Sequence, residues 1–405
     1  MLTVRRDVAT DVCPDLVLYD IPARNPFRSL VPLTKQHPLL FQTIIANAAL
    51  HMSNACQKPF TLAVKLHGES YTHAFAAKQQ ALRLLRIALM KPPSIDQDVL
   101  LMAVLLLVEF ALIDSGQEEW SCHIKGAESV VGTLYGPFTP TQQFSMNPLR
   151  RCLTENYSIF GIIGSTLSPP SDGHDIRRSN IYGNVPLLED AEGNHCSSFP
   201  SSLLQVLQAG ARLSRPSSAS GSITSSDREA AAICSELIST TEAFDPQAWA
   251  SNLHLRSDVE NDPNHRTHIA SAHRAAVLIY LTRLMLSYRQ QDITAQLCYD
   301  LESLVTRVIV HVSAIPPSNP LFAATTWPSF IAGAETRVLT NRGWAKQQLG
   351  EVWNVQPWGS VKGAARLLEE LWAGRPAFED GTTTPMTDGD WVDELRHRGV
   401  EWLIL

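Results

Sequence analysis

The sequence predicts an all-α protein built as one irregular array of many helices. Apolar residues recur at intervals of three and four in one segment after another, which is the period of an amphipathic helix. Prolines, glycines and clusters of Ser and Asp separate these segments at helix-length intervals. Strand-like alternation of apolar and polar residues is weak throughout, and no fixed repeat period is present. We therefore expect one packed helical body rather than separable domains.

The helical body is predicted to begin near residue 37. Residues 1–36 are interrupted by prolines and show no sustained period, so we expect an N-terminal extension before the body of residues 37–405. Pro38 suits the first turn of a helix, because its missing N–H would have no intrahelical partner there. Apolar residues then crowd Leu39–Met52, which predicts the first long helix. A second amphipathic helix follows and ends at a pair of prolines.

The most apolar segment, Ile95–Ile113, is predicted to be a helix buried on nearly all sides. Ser94 and Gln97 have the spacing of a capping box at its start. Its uninterrupted apolar run, Val99–Val108, is shorter than the roughly 18 residues that a bilayer requires, so we expect no membrane contact. Glu109 follows that run, and burial raises the pKa of such a carboxyl. We expect it to be structural and paired with an arginine from a neighbouring helix.

The later helices are predicted from the same signals. They fall at Trp120–Leu134, from Asn147-Pro148, and at Ser201–Arg212, Asp227–Thr240, His268–Tyr288, Gln296–Val312, Thr336–Leu349, Lys362–Trp372 and Trp391–Ile404. Two segments lack a helical period. We interpret residues 168–200 as a long surface loop and the serine-rich residues 214–226 as a flexible linker.

Composition excludes several classes of protein. The formal net charge of −7 argues against a nucleic-acid footprint over the whole chain. Met1–Asp15 carries charged residues where a secretory signal would be apolar. The seven cysteines are scattered, and no two form a Cys-x2-Cys pair. This pattern indicates reduced structural thiols in an intracellular protein.

No arrangement in the sequence indicates an active site or a metal site. Histidines 265, 268 and 273 have partly ligand-like spacing, but the helical period turns His273 away from His268. We expect helix capping and ordinary packing there. Cys122 is adjacent to His123, and adjacent residues on a helix point apart. The glycines match no nucleotide-binding motif. The sequence therefore predicts that the protein is not an enzyme and holds no metal or cofactor.

Four passages carry a resemblance to a known family. They occur in this order: His37–Met52; Leu100–Gly126, with Glu109, Trp120, His123 and Gly126; Trp327–Glu335, with Trp327, Pro328, Phe330, Gly333 and Glu335; and Trp391–Leu405. Together they resemble the fungal-specific transcription factor domain, the helical regulatory part of many zinc-cluster regulators. The ordered set is more specific than any single passage. We expect these motif residues to pack the core, with the aromatic rings filling gaps between helices.

The resemblance implies a nuclear regulator of transcription. Similar proteins include pathway-specific activators of fungal secondary-metabolite gene clusters, such as those for trichothecene toxins. Zinc-cluster regulators carry Cys-x2-Cys-x6-Cys repeats beside basic residues, whereas only Cys13 precedes the helical body here. We therefore expect DNA to be reached indirectly, through a DNA-binding factor or the transcription machinery. A homodimer is left open, and no simple nuclear import signal is evident.

Three alternatives accompany this interpretation. In the first alternative, the chain is a helical enzyme or ligand-binding protein whose site is not visible in the sequence. In the second, it is a paralogue without an independent role. The third alternative is a gene whose upstream exon encodes the zinc cluster.

Overall fold

The computed structural model describes residues 13–22, 25–62, 68–90, 96–117, 119–135, 148–168, 185–213, 225–253, 262–288, 300–379 and 390–405. The described residues form three isolated β-bridges and no strand, so the predicted all-α fold is confirmed. Most of the predicted linker at 214–226 and the first half of the predicted loop at 168–200 lie outside the described residues.

Sixteen α-helices account for most of the described residues. In chain order they are α1 (Leu30–Leu33), α2 (Pro38–Ala55), α3 (Glu69–Met90), α4 (Gln97–Asp114), α5 (Trp120–Tyr135), α6 (Pro148–Ser165), α7 (Val185–Ala191), α8 (Ser201–Arg212), α9 (Ser225–Ala243), α10 (Pro246–Asn252), α11 (Pro263–Tyr288), α12 (Leu301–Ser313), α13 (Thr326–Glu335), α14 (Leu339–Val355), α15 (Gly359–Ala373) and α16 (Trp391–His397). Short 3-10 turns occur at Cys13–Leu16, Pro26–Ser29 and Pro320–Thr325.

Helices α2 to α5 form the N-terminal half of the packing. The apolar helix α4 contacts α2, α5 and α6, and all its residues from Leu101 to Ile113 are buried. Two asparagines of α2 reach across to its backbone. Asn47 Nδ2 donates to the carbonyl of Leu106 at 2.8 Å, and Asn54 Nδ2 donates to that of Ile113 at 2.7 Å. These bonds satisfy buried polar groups and fix α2 along α4.

Helices α11 to α15 form the C-terminal half. The described helix that is long and apolar enough to cross a membrane is α11, and 83% of its apolar window is buried in the fold. It packs against α9, α10, α12 and α13. A helix whose long apolar segment is covered by other helices is typical of a protein core. In this fold α11 is the central core helix.

Residues 185–200 and the end of the chain are among the regions that differ from the sequence-based expectation. Residues 185–200, expected in a surface loop, form α7 and a buried turn that contains Phe199. A helix of seven residues is too short to show a clear period. The closing helix ends at His397 rather than Ile404, because Gly399 adopts a φ of +72°, a conformation that commonly ends helices. The tail then runs extended, and Leu403 N–H donates to the carbonyl of Gly116 at 2.7 Å.

The N-terminal extension packs into the helical body. Phe27 is buried, and Asn25 Nδ2 donates to the carbonyl of Cys13 at 2.7 Å. Beyond α14, Gln356 Nε2 donates to the carbonyl of Asp15 at 3.0 Å. The helical body therefore reaches back at least to Cys13.

The cap of α4 also differs from the sequence-based expectation. Asp96 caps the helix, because its side chain accepts the N–H of Asp98 at 2.9 Å. Ser94, the expected capping residue, lies outside the described residues.

Candidate functional site

The aromatic–proline motif Trp327–Glu335 lies on α13, at the centre of the C-terminal half. The 3-10 turn Pro320–Thr325 leads directly into α13, and every residue of α13 is buried. Helices α11, α12, α14 and α15 contact it. Pro328 lies in the first turn, where a missing N–H breaks no helical bond. Phe330 meets Trp391 edge to face, with the ring centroids 6.3 Å apart. The motif thus forms part of the core.

Trp327 takes part in a row of aromatic rings between α13 and α11. Its ring lies 5.3 Å from that of Phe199, and Phe199 stacks on His273 at 4.0 Å. Burial lowers the pKa of His273 to about 3, so this ring is neutral at pH 7. His273 Nε2 lies 3.2 Å from the carbonyl oxygen of Ser197, which accepts its N–H. His273 is therefore a packing residue, as the sequence predicted.

Glu335 ends α13 and holds a buried ion pair. Its Oε2 accepts from Arg283 Nε at 2.7 Å and its Oε1 accepts from Arg283 Nη2 at 2.5 Å. The same Oε2 also accepts from Trp391 Nε1 at 2.9 Å. Burial acts to lower the pKa of Arg283, but the charge and hydrogen bonds of Glu335 raise it above its usual value. One carboxylate thus ties α11, α13 and α16 together.

Gly333 lets two helices approach α13 closely. A Cβ at this position would lie 2.7 Å from Leu368 Cδ1 and 2.9 Å from Ala345 Cβ. Both distances are shorter than ordinary van der Waals contact. The carbonyl of Gly333 also accepts from Trp372 Nε1 at 2.9 Å. The glycine therefore sets the spacing of α13, α14 and α15.

The second motif lies on α5 and packs in a similar way. Trp120 is fully buried against α6, where a Cβ at Gly164 would lie 2.1 Å from the indole ring. Gly126 differs, because the nearest atom to its added Cβ is Val104 Cγ1 at 3.7 Å, an ordinary contact. The structure gives no steric reason for a glycine at residue 126.

His123 is not placed to act as a base at neutral pH. Burial and the nearby charge of Lys78 lower its pKa to about 4, so the ring is neutral. Lys78 forms an ion pair with Glu119. His123 Nε2 is buried without a hydrogen-bond partner in the part of the chain that the structure describes.

Glu109 has an environment that the sequence analysis did not foresee. The expected arginine partner was wrong: no described arginine pairs with it, and its Oε2 is buried without a hydrogen bond. Burial raises the pKa of Glu109 to about 8. The thiols of Cys13, Cys152 and Cys196 lie close enough for its charge to raise their pKa values further. At pH 7 Glu109 is therefore a neutral carboxylic acid among thiols that do not ionise.

The histidine motif does not assemble in space. His265 Nδ1 bonds to Asp262 at the start of α11. His268 instead meets His311 of α12, and the two Nδ1 atoms are 3.1 Å apart. Within the described residues, no three His, Cys, Asp or Glu side chains are grouped to hold a metal ion.

A cavity of about 900 Å³ lies between the N-terminal segment, α6, α7 and α10. Four acidic side chains, one arginine and several apolar residues line it. The sequence analysis missed this site. The acidic residues near the end of α7 were a visible signal, but the lining as a whole runs from Leu16 to Leu253, so its walls come from segments that are distant in sequence.

Comparisons with known proteins give one family and one relative. Residues 9–404 match the model of the fungal specific transcription factor domain. The chain is 30% identical over 400 residues to the acriflavine sensitivity control protein acr-2 of Neurospora crassa. The alignment covers 96% of this chain and 64% of the relative, so the chain spans less than two thirds of that protein's length. No solved structure matches the chain.

Proposed function

Because the chain belongs to the fungal-specific transcription factor domain family, we propose that it is a pathway-specific activator of a fungal secondary-metabolite gene cluster. Regulation of transcription is the function of the family, and the match over residues 9–404 confirms the resemblance found in the sequence. The choice of pathway and the direction of regulation are the proposal.

The burial of the family motif is the observation that supports this proposal. The carboxylate of Glu335 and the carbonyl of Gly333, both on α13, accept hydrogen bonds from within the fold. Glu335 binds Arg283 and Trp391, and the Gly333 carbonyl binds Trp372. Residues used in this way position helices rather than react with a substrate. The motif therefore supports a rigid body that presents its outer surface to other molecules, without an enzymatic role.

Protein partners are the proposed route to DNA. The formal net charge of −7 is unfavourable for contact with the phosphate backbone over a large face. We propose that a DNA-binding factor or the transcription machinery docks on the helical body, inside the nucleus.

Transcript profiling after deletion of the gene tests the regulatory role. We expect one co-located set of biosynthetic genes to lose expression and to recover when the gene is restored. Unchanged transcription, or scattered changes with no co-located set, would contradict a pathway-specific role.

A tethering experiment tests the activating role and the indirect route to DNA. Fused to an unrelated DNA-binding domain, the chain is expected to switch on a reporter with sites for that domain. The unfused chain is expected to give no mobility shift with promoter DNA of the affected genes. A reporter that stays silent contradicts activation, and a sequence-specific shift contradicts the indirect route.

A second proposal comes from the relative in Neurospora crassa, whose name assigns it control of acriflavine sensitivity. Identity of 30% across almost the whole chain favours a related role here. Growth of the deletion strain on acriflavine tests it. A changed sensitivity with unchanged secondary-metabolite genes would favour this role over the biosynthetic one.

A further inference from the structure

We propose that the cavity between the N-terminal segment, α6, α7 and α10 binds an organic cation with an apolar or aromatic body. The described walls come from residues 16–21 and 26, 148–156, 189–202 and 249–253. The volume of about 900 Å³ lies within the range of about 300 to 1,000 Å³ that is usual for small-molecule sites. The space is large enough for a drug-sized molecule rather than a single ion.

The charge of the lining selects a cation. Four acids and one base are the charged residues of the described lining, namely Glu155, Glu189, Asp190 and Glu192 with Arg151. Their formal charge sums to −3. His195, also in the lining, is neutral because burial lowers its pKa to about 3. An anion entering this space would meet like charges, whereas a cation would be attracted.

Two arginines near the cavity, among the residues that the structure describes, are bound to other groups. Arg151 Nη1 lies 3.1 Å from Asp190 Oδ2, so these two charges balance each other. Arg266 lies behind the wall, where its Nη2 donates to the carbonyl of Gly193 at 3.0 Å. Counting Arg266 with the lining still leaves a formal charge of −2. The formal charge of the described groups at the cavity therefore stays negative.

Glu192 is held in place by a main-chain hydrogen bond. Its Oε1 accepts the N–H of Ser201 at 2.6 Å, which fixes the carboxylate at the start of α8. Burial raises its pKa, because loss of contact with water destabilises the charged form. A bound cation would offset that desolvation. The arrangement thus favours a positively charged occupant at this wall.

The remaining lining suits an apolar body. Leu16, Val17 and Leu253 contribute aliphatic surface, and Tyr19 and Trp249 contribute aromatic rings. Aromatic rings attract cations through their electron-rich faces. The guanidinium of Arg266 already lies over the Tyr19 ring, 5.4 Å from its centroid, so the ring that we assign to the ligand is Trp249. The described acids are not grouped as metal ligands, so the lining matches an extended organic cation better than a compact metal ion.

This inference goes beyond the proposed function, since binding is measured on the purified chain and does not depend on any role in transcription. The probe is thioflavin T, a planar aromatic cation whose fluorescence rises when it is held rigidly. The matched anionic probe is 1-anilinonaphthalene-8-sulfonate. We expect saturable binding of thioflavin T and at least tenfold weaker binding of the anion.

Two variants locate the site. The double variant Glu155→Gln with Glu189→Gln removes two charges from the lining and is expected to weaken thioflavin T binding about tenfold. Its matched control, Glu229→Gln with Glu236→Gln, removes two exposed charges from α9, outside the described lining, and is expected to change the dissociation constant less than twofold. Ser202→Trp keeps all charges but fills space at the exposed start of α8.

The outcomes separate clearly. Circular dichroism and thermal unfolding confirm that each variant is folded, and Ser202→Trp supplies an independent answer if the double variant does not fold. Weaker thioflavin T binding in the cavity variants, with unchanged binding in the control, supports the proposal. The proposal is overturned if thioflavin T fails to bind the wild-type chain up to about 1 mM. Equal affinity for the two probes also overturns it, as does an unchanged affinity in the folded cavity variants.

Discussion

Replacing the buried Glu109 by glutamine is expected to stabilise the protein at neutral and alkaline pH. The carboxyl lies on α4 with 2% of its surface exposed and with no hydrogen bond to Oε2. Burial raises its pKa from 4.5 to about 8. Glutamine has nearly the same shape and cannot ionise. The variant therefore removes the penalty of holding a proton that the unfolded chain releases.

The magnitude follows from the two pKa values. A group whose pKa is higher in the folded state lowers stability once the pH exceeds its pKa in the unfolded chain. The penalty grows from pH 4.5 and reaches its full size above pH 8. At pH 7, 2.5 pH units above 4.5, it is about 3 kcal/mol, at roughly 1.4 kcal/mol per unit. Above pH 8, it reaches about 5 kcal/mol.

Thermal unfolding across the pH range is the assay. With an unfolding entropy of roughly 2 cal/mol/K per residue, 3 kcal/mol corresponds to a Tm shift of about 4 °C in a chain of 405 residues. We expect Glu109→Gln to raise Tm by about that amount at pH 7 and by less than about 1 °C at pH 5. Glu229→Gln, at an exposed position on α9, is the matched control and is expected to leave the pH dependence unchanged.

The opposite pattern would refute this reasoning. If Glu109→Gln lowers Tm at pH 7 and the loss shrinks as the pH falls below about 4.5, the carboxylate is charged and paired in the folded protein. Infrared spectroscopy offers an independent check. The band of a protonated carboxyl should be present at pH 7 in the wild type, disappear above pH 8, and be absent from the variant.

Three further predictions concern the core. Gly333→Ala should lower the free energy of unfolding by about 1 to 3 kcal/mol, because its Cβ would overlap two neighbouring side chains. Gly126→Ala should be neutral or stabilising, because its Cβ would have room. Urea unfolding compares the two variants, and an equal loss of stability would contradict the contact distances. Removing one partner of the buried pair, by Glu335→Gln or Arg283→Met, should lower the free energy of unfolding by about 3 to 5 kcal/mol. The double variant should lose less stability than the sum of the two single variants. Additive losses in this double-mutant cycle would show that the pair does not interact. Deleting residues 403–405 should cost at least about 3 kcal/mol, because their apolar side chains are buried; a truncated chain with unchanged Tm would contradict the packing of the tail.

The sequence by itself determined most of the long helices and the family. Helical periodicity located most of the long helices, and at Ser201–Arg212 it gave both ends of α8. Local signals are sufficient there, because an amphipathic pattern and a terminating residue act within one or two turns. The order of the four family passages was also readable, since it needs no knowledge of contacts.

Only the tertiary structure decided which buried polar groups found partners. Glu335 binds Arg283 and Trp391, which lie 52 and 56 residues away in the sequence. Glu109 was also expected to be buried, but it pairs with no arginine among the described residues. A helical pattern states which face turns inward, but it does not state which side chain lies opposite. The path of the tail beyond His397 and the acidic cavity could not be predicted for the same reason. Both are formed by segments that are distant in sequence, and packing alone brings those segments together.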